Sequence, residues 1–177
     1  MRWMWIDRIV ELVPRQRLVA IKNVSLAEEH LHDHFPAQPG EGGRGAIPVM
    51  PMSLIIEGMA QTAGILVGHA EGFREKVILA KVGLAEIERD ATPGTTLRYT
   101  ATIVQMDRQG ASTQGTVELL DHSRPQDGFR PIGRIDLMFS HIDQNMAGLE
   151  FPEHNFVFGE SFKTLLRMSG IADFAGV

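Results

Sequence analysis

Residues 48–61 read PVMPMSLIIEGMAQ and place one carboxylate, Glu57, in the middle of an almost wholly apolar stretch. Charged side chains are seldom fully buried without a partner, because removing an ionised carboxylate from water is costly. Low-dielectric surroundings also favour the protonated carboxyl, which suits a proton donor working near neutral pH. A histidine lies upstream, in the tripeptide His34-Phe35-Pro36. Glu57 and His34 are therefore candidates for an acid–base pair, or alternatively a structural hydrogen-bond acceptor and a turn residue.

The same stretch predicts a long helix that begins at the N-cap Ser53 and ends at about residue 69–72. Apolar residues cover most of its circumference, which indicates a helix wrapped by other structure. Glu57, Gln61 and Gly64 share one stripe at i, i+4 and i+7, so they form a narrow polar or open face. We expect a core helix rather than a membrane span, because Glu57 and Gln61 lie at its centre.

Short strands are predicted on both sides of this helix, at residues 6–13, 17–24, 77–84, 95–106, 111–120 and 133–142. Residues 26–34 suit a helical turn or loop, and the glycine-rich residues 37–48 cannot be regular structure. Two strands, one buried helix and four further strands predict an α+β fold, in which a single antiparallel sheet wraps the helix.

The length of 177 residues suits one domain, which we place at residues 1–142. Residues 143–177 are interpreted as a linker and an aromatic C-terminal extension. Phe162, Leu165 and Leu166 are spaced for one face of a short helix that ends near Gly170. This extension is too apolar for a free end, so we expect it to pack on the body or on a neighbouring subunit.

Composition excludes several classes of site. The chain has 17 Lys and Arg against 22 Asp and Glu, a net charge of −5, and no dense basic run, which argues against nucleic-acid binding. There are no cysteines, which excludes disulfides and thiolate chemistry. No secretory signal is evident, so the cytoplasm is the expected location. His30, His32 and His34 would align as metal ligands on a strand, but no strand is predicted there, and neither a metal ion nor a cofactor is expected.

Five segments together resemble a known family: DRIVEL at 7–12, AIKNV at 20–24, HFP at 34–36, PVMP at 48–51 and LIIEGMAQ at 54–61. They are similar to the hot-dog 3-hydroxyacyl-[acyl-carrier-protein] dehydratases of type II fatty-acid synthesis, over about residues 1–142. The resemblance implies a hot-dog fold and a homodimer, and the family commonly forms trimers of dimers. It also implies a shared active site, in which His34 of one subunit faces Glu57 of the other.

The same resemblance assigns roles in the dehydration of a 3-hydroxyacyl thioester to a trans-2-enoyl thioester. His34 would remove the proton on the carbon next to the carbonyl, and Glu57 would protonate the departing hydroxyl. The backbone N–H of Met52 would stabilise the enolate oxygen at the helix N-terminus, and Gln61 would orient the Glu57 carboxylate. The acyl tunnel would be lined by Phe35, Pro51, Leu54 and Gly64.

Several questions stay open on the sequence alone. Glutamate at position 57 resembles the branch of the family that dehydrates without isomerising the double bond. Met52 stands where the family usually has glycine, and residues 40–47 look like an insertion beside the site. Two alternatives follow: a hot-dog acyl thioesterase, whose carboxylate would activate water, and a non-catalytic acyl-binding subunit.

The expected substrate is carried by acyl carrier protein or coenzyme A. An acidic carrier protein would need a basic surface near the tunnel. Six basic residues could form that surface, or could be ordinary surface charge: Arg2, Arg8, Arg15, Arg17, Lys22 and Arg44.

Overall fold

The strands form one antiparallel sheet around a long buried helix. The computed structural model of the chain describes residues 3–142 and 157–171. The elements in chain order are β1 (Arg8–Val13), β2 (Arg17–Val24), α1 (His30–Asp33), α2 (Met52–Ala70), β3 (Val77–Ile87), β4 (Thr95–Met106), β5 (Gly110–Asp121), a 3₁₀ turn (Pro125–Asp127), β6 (Arg130–His141) and α3 (Glu160–Met168). The strand order is β1-β2-β4-β5-β6-β3, and all neighbouring strands are antiparallel. The predicted α+β hot-dog fold is confirmed.

Helix α2 is the centre of the hydrophobic core. It packs against β2, β3, β4, β5 and β6, so the sheet covers it on several sides. This cover explains why its apolar residues are not confined to one stripe. The fully buried members include Ile55, Met59, Ile65, Leu66 and Val67. Each buried side chain of this size stabilises the fold by about 1.5–3 kcal/mol relative to an exposed one.

The strands that face the helix show the alternation expected of a half-buried sheet. In β5 the buried residues are Ala111, Thr113, Gly115, Val117 and Leu119, and the residues between them are more exposed. Successive side chains of a strand point to opposite faces, so these five residues point toward α2. The strand predictions are correct to within a few residues at each end.

The start of α2 differs from the prediction. The helix begins at Met52 with Pro51 at the N-cap, and no side chain caps it. The carbonyl of Pro51 accepts hydrogen bonds from the N–H groups of Leu54 and Ile55 at 2.9 and 3.3 Å. Proline suits this position because it has no N–H and its φ is fixed near that of a helix. Ser53 therefore lies in the first turn, and its assignment as the cap was wrong.

The C-terminal extension packs on the body, which is one of the two predicted alternatives. Phe158, Leu165 and Leu166 are buried, and α3 lies against β1. The hydroxyl of Ser169 accepts a hydrogen bond from the N–H of Ile9 at 3.1 Å. Of the predicted linker and extension at residues 143–177, residues 143–156 and 172–177 lie outside the described residues. Within the described part of the chain, no helix is both long and apolar enough to cross a membrane.

Two glycines of α2 allow a direct test of the core. A Cβ at Gly58 would lie 2.6 Å from the ring of the buried Tyr99, whereas a Cβ at Gly64 would meet only Phe139, at 3.6 Å. Overpacking costs about 1–3 kcal/mol, and alanine returns up to about 1 kcal/mol of helix propensity. We expect Gly58→Ala to lower the free energy of unfolding by about 1–2 kcal/mol in urea titrations.

The matched control is Gly64→Ala, which gains the same helix propensity without the clash. Its free energy of unfolding should stay the same or rise by up to about 1 kcal/mol. Equal effects of the two substitutions would contradict the packing of Tyr99 on Gly58.

Candidate active site

His34 directly follows the short helix α1, and its side chain is exposed. Its backbone N–H donates to the carbonyl of His30 at 3.2 Å. Its ring contacts Phe35 edge to face, with 4.4 Å between ring centroids. This imidazole therefore lies at the surface of the protomer, where a substrate or a second chain can reach it.

A buried lysine holds the segment that leads into α1. Lys22 Nζ lies 3.2 Å from a carboxylate oxygen of Asp7 and 2.6 Å from one of Glu28, and its side chain is 7% exposed. Removing one partner of such a buried pair is destabilising, because the charge that remains has no compensation. The ring of His30 packs edge to face on Trp5 at 5.1 Å, and burial lowers the pKa of His30 below its ordinary value. These contacts fix the backbone from which His34 projects.

Glu57 lies on α2, half-buried, and its carboxylate is held by Gln61 one helical turn along. Gln61 Nε2 donates to Glu57 Oε1 at 3.0 Å and to the carbonyl of Trp3 at 3.0 Å. Gln61 Oε1 accepts from the N–H of Trp5 at 2.9 Å. The amide cannot rotate by half a turn without losing all three bonds, so it presents its NH₂ group to the carboxylate. This geometry is what the predicted orienting role of Gln61 requires.

The two candidate side chains open onto different clefts of the protomer. The His34 cleft has a volume of about 360 Å³ and is lined by residues that include Phe35, Pro51 and Met52. The Glu57 cleft has a volume of about 270 Å³, and Gly64 lies in its wall. The two clefts share no lining residue. One chain alone therefore does not bring the predicted acid and base into one cavity.

The other predicted lining residue lies elsewhere. Leu54 lines neither cleft and packs, half-buried, against the core. A larger depression of about 470 Å³ lies at the C-terminal end of α2, beside Glu71 and His141. Neither His34 nor Glu57 lines it, so we do not assign the predicted chemistry to it.

Met52 occupies its position without backbone strain. It is the first residue of α2. The N–H groups of the first helical turn have no acceptor within the helix, so they are available to bind an oxygen of a substrate. Among the described residues other than glycine, positive φ occurs only at Arg15 and Phe73. A glycine is therefore not needed at position 52 for its backbone conformation. The Met52 side chain is 42% exposed at the mouth of the His34 cleft.

Sequence reasoning missed residues in both clefts. Arg89 and Asp90 line the His34 cleft, and Val157, Phe158 and Phe162 line the Glu57 cleft. The charged run at 86–90, directly after a strand, was a usable signal for the first pair. The aromatic extension was recognised, but no spacing in the sequence connects it with Glu57.

The histidine alternation at 30–34 has a structural explanation. His30 and His32 belong to a helical turn, and His32 Nε2 lies 2.5 Å from the carbonyl of Leu26. Residues 3–142 and 157–171 contain no cluster of three or more His, Cys, Asp or Glu side chains that could hold a metal ion.

Replacing Gln61 by leucine removes its three hydrogen bonds and measures how much they contribute to the free energy of unfolding. The N–H of Trp5 would lose its acceptor in a buried position, which costs about 1–3 kcal/mol. We expect Gln61→Leu to lower the free energy of unfolding by that amount in chemical denaturation. The control is Gln114→Leu at an exposed position of β5, which should change it by less than about 0.5 kcal/mol. An unchanged stability of Gln61→Leu would contradict the hydrogen-bonding scheme.

The chain is similar to curated dehydratases. A curated 3-hydroxyacyl-[acyl-carrier-protein] dehydratase FabZ of Acidiphilium cryptum is 43% identical over 96 residues, which cover 52% of this chain and 53% of the relative. One of Clostridium kluyveri is 29% identical over 141 residues, 79% of this chain and 86% of the relative. The chain spans only 53–63% of the length of three of the curated relatives that it matches.

The fold and the family model give the broader relationship. A chain of the dehydratase heterocomplex ApeI:P from Xenorhabdus doucetiae superposes with a TM-score of 0.59 at 14% identity, covering 82% of this chain and 90% of that one. The family model described as a FabA-like domain matches residues 2–121. Since that match covers well over half of the 177 residues, the protein belongs to the FabA-like domain family.

Proposed function

We propose that the protein dehydrates 3-hydroxyacyl thioesters to trans-2-enoyl thioesters, and that His34 of one protomer acts together with Glu57 of a second. Its membership of the FabA-like family and its curated relatives named as dehydratases support the reaction. The placement of the two clefts at opposite ends of one edge strand supports the shared site, and this observation carries the proposal.

The edge strand is β3. Its first residues, Val77 to Leu79, line the Glu57 cleft, and its last residue, Ile87, lines the His34 cleft. A two-fold axis at Val82, the middle of the strand, would pair β3 with its copy in antiparallel orientation. The N-terminal end of one β3 strand then lies beside the C-terminal end of the other. The Glu57 cleft of each protomer would thus adjoin the His34 cleft of its partner.

The two edges of the sheet differ in the way this pairing requires. The β1 strand has six residues against eleven in β3, and the N–H of Ile9 at the β1 edge is already bonded to Ser169. At the β3 edge, Leu79 and Val82 are 39% and 42% exposed. A long edge strand with exposed apolar side chains is a template for pairing with another chain. We therefore infer a homodimer that joins through β3.

The chemistry follows from the groups in the combined cavity. The imidazole of His34 takes the proton from the carbon next to the thioester carbonyl, and the negative charge moves to the carbonyl oxygen. N–H groups at the start of α2, including that of Met52, stabilise this oxygen. As the double bond forms, the bond from carbon to hydroxyl breaks, and a proton from Glu57 converts the hydroxyl to water. Return of the proton from His34 to Glu57 then resets the site.

The acyl carrier protein docks beside the His34 cleft. Arg89 lies there, 3.6 Å from a carboxylate oxygen of Asp121, and its side chain is 55% exposed, so it can also contact an acidic carrier protein. Lys22 cannot contribute to such a surface, because it is buried between Asp7 and Glu28. Its inclusion among the docking candidates was wrong. The absence of cysteine suits the reducing cytoplasm, where we propose that the protein works.

Subunit complementation tests the shared site directly. His34→Ala and Glu57→Gln should each abolish turnover of a 3-hydroxyacyl thioester, followed by enoyl absorbance, and should leave the thermal midpoint nearly unchanged. When the two variants exchange subunits, each heterodimer regains one intact site of its two. An equal mixture should therefore recover about one quarter of wild-type activity.

The matched control mixes wild type with a chain that carries both substitutions. Here every heterodimer has two broken sites, so subunit exchange should reduce the activity of the mixture by about half. No recovery in the first mixture, with heterodimers verified by mass spectrometry, would refute the shared site. Free thiol released without enoyl product would instead identify a thioesterase.

A further inference from the structure

We propose that the C-terminal segment 157–171 closes the far end of the Glu57 cleft and limits the length of the acyl chain that the cleft accepts. This inference rests on the proposed dehydratase function. The segment lies outside residues 2–121, which match the FabA-like family model. Its position beside the candidate acid needs a physical explanation.

The floor of the cleft is one stripe of α2. Glu57, Gln61 and Gly64 line the cleft, and Gly68 continues the same stripe at i+11. Gly64 has no side chain, so the floor stays open at that point, and a Cβ there would meet only Phe139. An acyl chain whose thioester lies near Glu57 can follow this stripe toward the C-terminal end of the helix.

The stripe is blocked at Gly68 by Phe158. A Cβ at Gly68 would lie 2.5 Å from Cζ of Phe158, so the phenyl ring rests directly on the glycine. Phe158 and Phe162 both line the cleft, and their ring centroids are 5.9 Å apart, edge to face. The distance along the helix from Glu57 to Gly68 is about 16 Å, which bounds the path of the chain.

The Phe158 side chain that blocks the stripe is held in place by the fold. Phe158 is 3% exposed and packs edge to face on Phe73 at 4.8 Å between ring centroids. Beyond it, Leu165 and Leu166 are buried, and Ser169 is bonded to β1. These contacts at both ends of α3 hold the two phenylalanines in place against an incoming chain.

The remaining space suits a small ligand. The cleft has a volume of about 270 Å³. Pockets for whole ligands commonly span roughly 300–1,000 Å³, and this cleft, which is one part of the proposed combined cavity, is slightly smaller than that range. The walls next to the floor are Val77 to Leu79 and Phe139, which offer an apolar lining for a hydrocarbon chain.

The test compares chain-length profiles of wild type, Phe158→Ala and Phe162→Ala. Turnover is measured with 3-hydroxybutanoyl, 3-hydroxyoctanoyl and 3-hydroxydodecanoyl pantetheine, because pantetheine is common to both carriers. Wild type should show its lowest kcat/KM with the dodecanoyl substrate. Each phenylalanine variant should raise kcat/KM for the dodecanoyl substrate on the order of tenfold, the effect of about two newly buried methylenes. Met168→Ala, on the exposed face of α3, is the control and should leave the profile unchanged.

A second measurement separates this inference from the proposed reaction. Binding of the saturated butanoyl, octanoyl and dodecanoyl pantetheine thioesters is followed by calorimetry, since these cannot be dehydrated. If no hydroxyacyl substrate turns over but the variants bind dodecanoyl more tightly, the block is supported and the dehydratase function is refuted. Unchanged profiles in both phenylalanine variants, or no binding of any thioester to any of the proteins, would overturn the block.

Discussion

The side-chain amide of Gln61 is the contact on which the candidate site depends. It lies on the central helix, is 5% exposed, and bonds to the N-terminal segment at Trp3 and Trp5 as well as to Glu57. The N-terminal segment then runs into β1, and Asp7 at that point pairs with Lys22. One amide therefore couples the orientation of the carboxylate to the docking of the sheet edge. Because Oε1 and Nε2 have different partners, the coupling also selects one orientation of the amide.

The two edge strands of the sheet, β1 and β3, have different surroundings. The chain's own C-terminal helix lies against the short β1 strand, whereas the longer β3 strand has no such helix against it among the described residues. Both clefts open along β3, one at each end. A dimer through β3 would remove the exposed edge and join acid to base in the same step. Formation of the dimer would then also complete the site. The candidate base and the candidate acid can therefore lie on separate elements of each chain.

The sequence predicts the fold well because the decisive signals are local. The apolar circumference of α2 requires a sheet around it, and the alternation along the strands, as in β5, supplies that sheet. The N-cap was wrong because Pro51 and Ser53 both favour a helix start, and only the backbone conformation decides between them. The burial of Lys22 was not predicted, since its partners Asp7 and Glu28 come from two other segments. In the proposed dimer, the relation between His34 and Glu57 depends on a second chain, and no spacing within one chain encodes it.

The same stripe of α2 carries the candidate acid Glu57, the amide of Gln61 and two glycines, and the two glycines have different surroundings. Gly64 faces open space in the cleft, whereas Gly68 is covered by Phe158. The helix itself would allow a groove along its whole length, because both positions lack a side chain. The length of the groove is therefore set by what lies on the helix, and here that is a segment beyond the matched family domain. An extension can thus change the substrate range of such a site without changing any residue that takes part in the reaction.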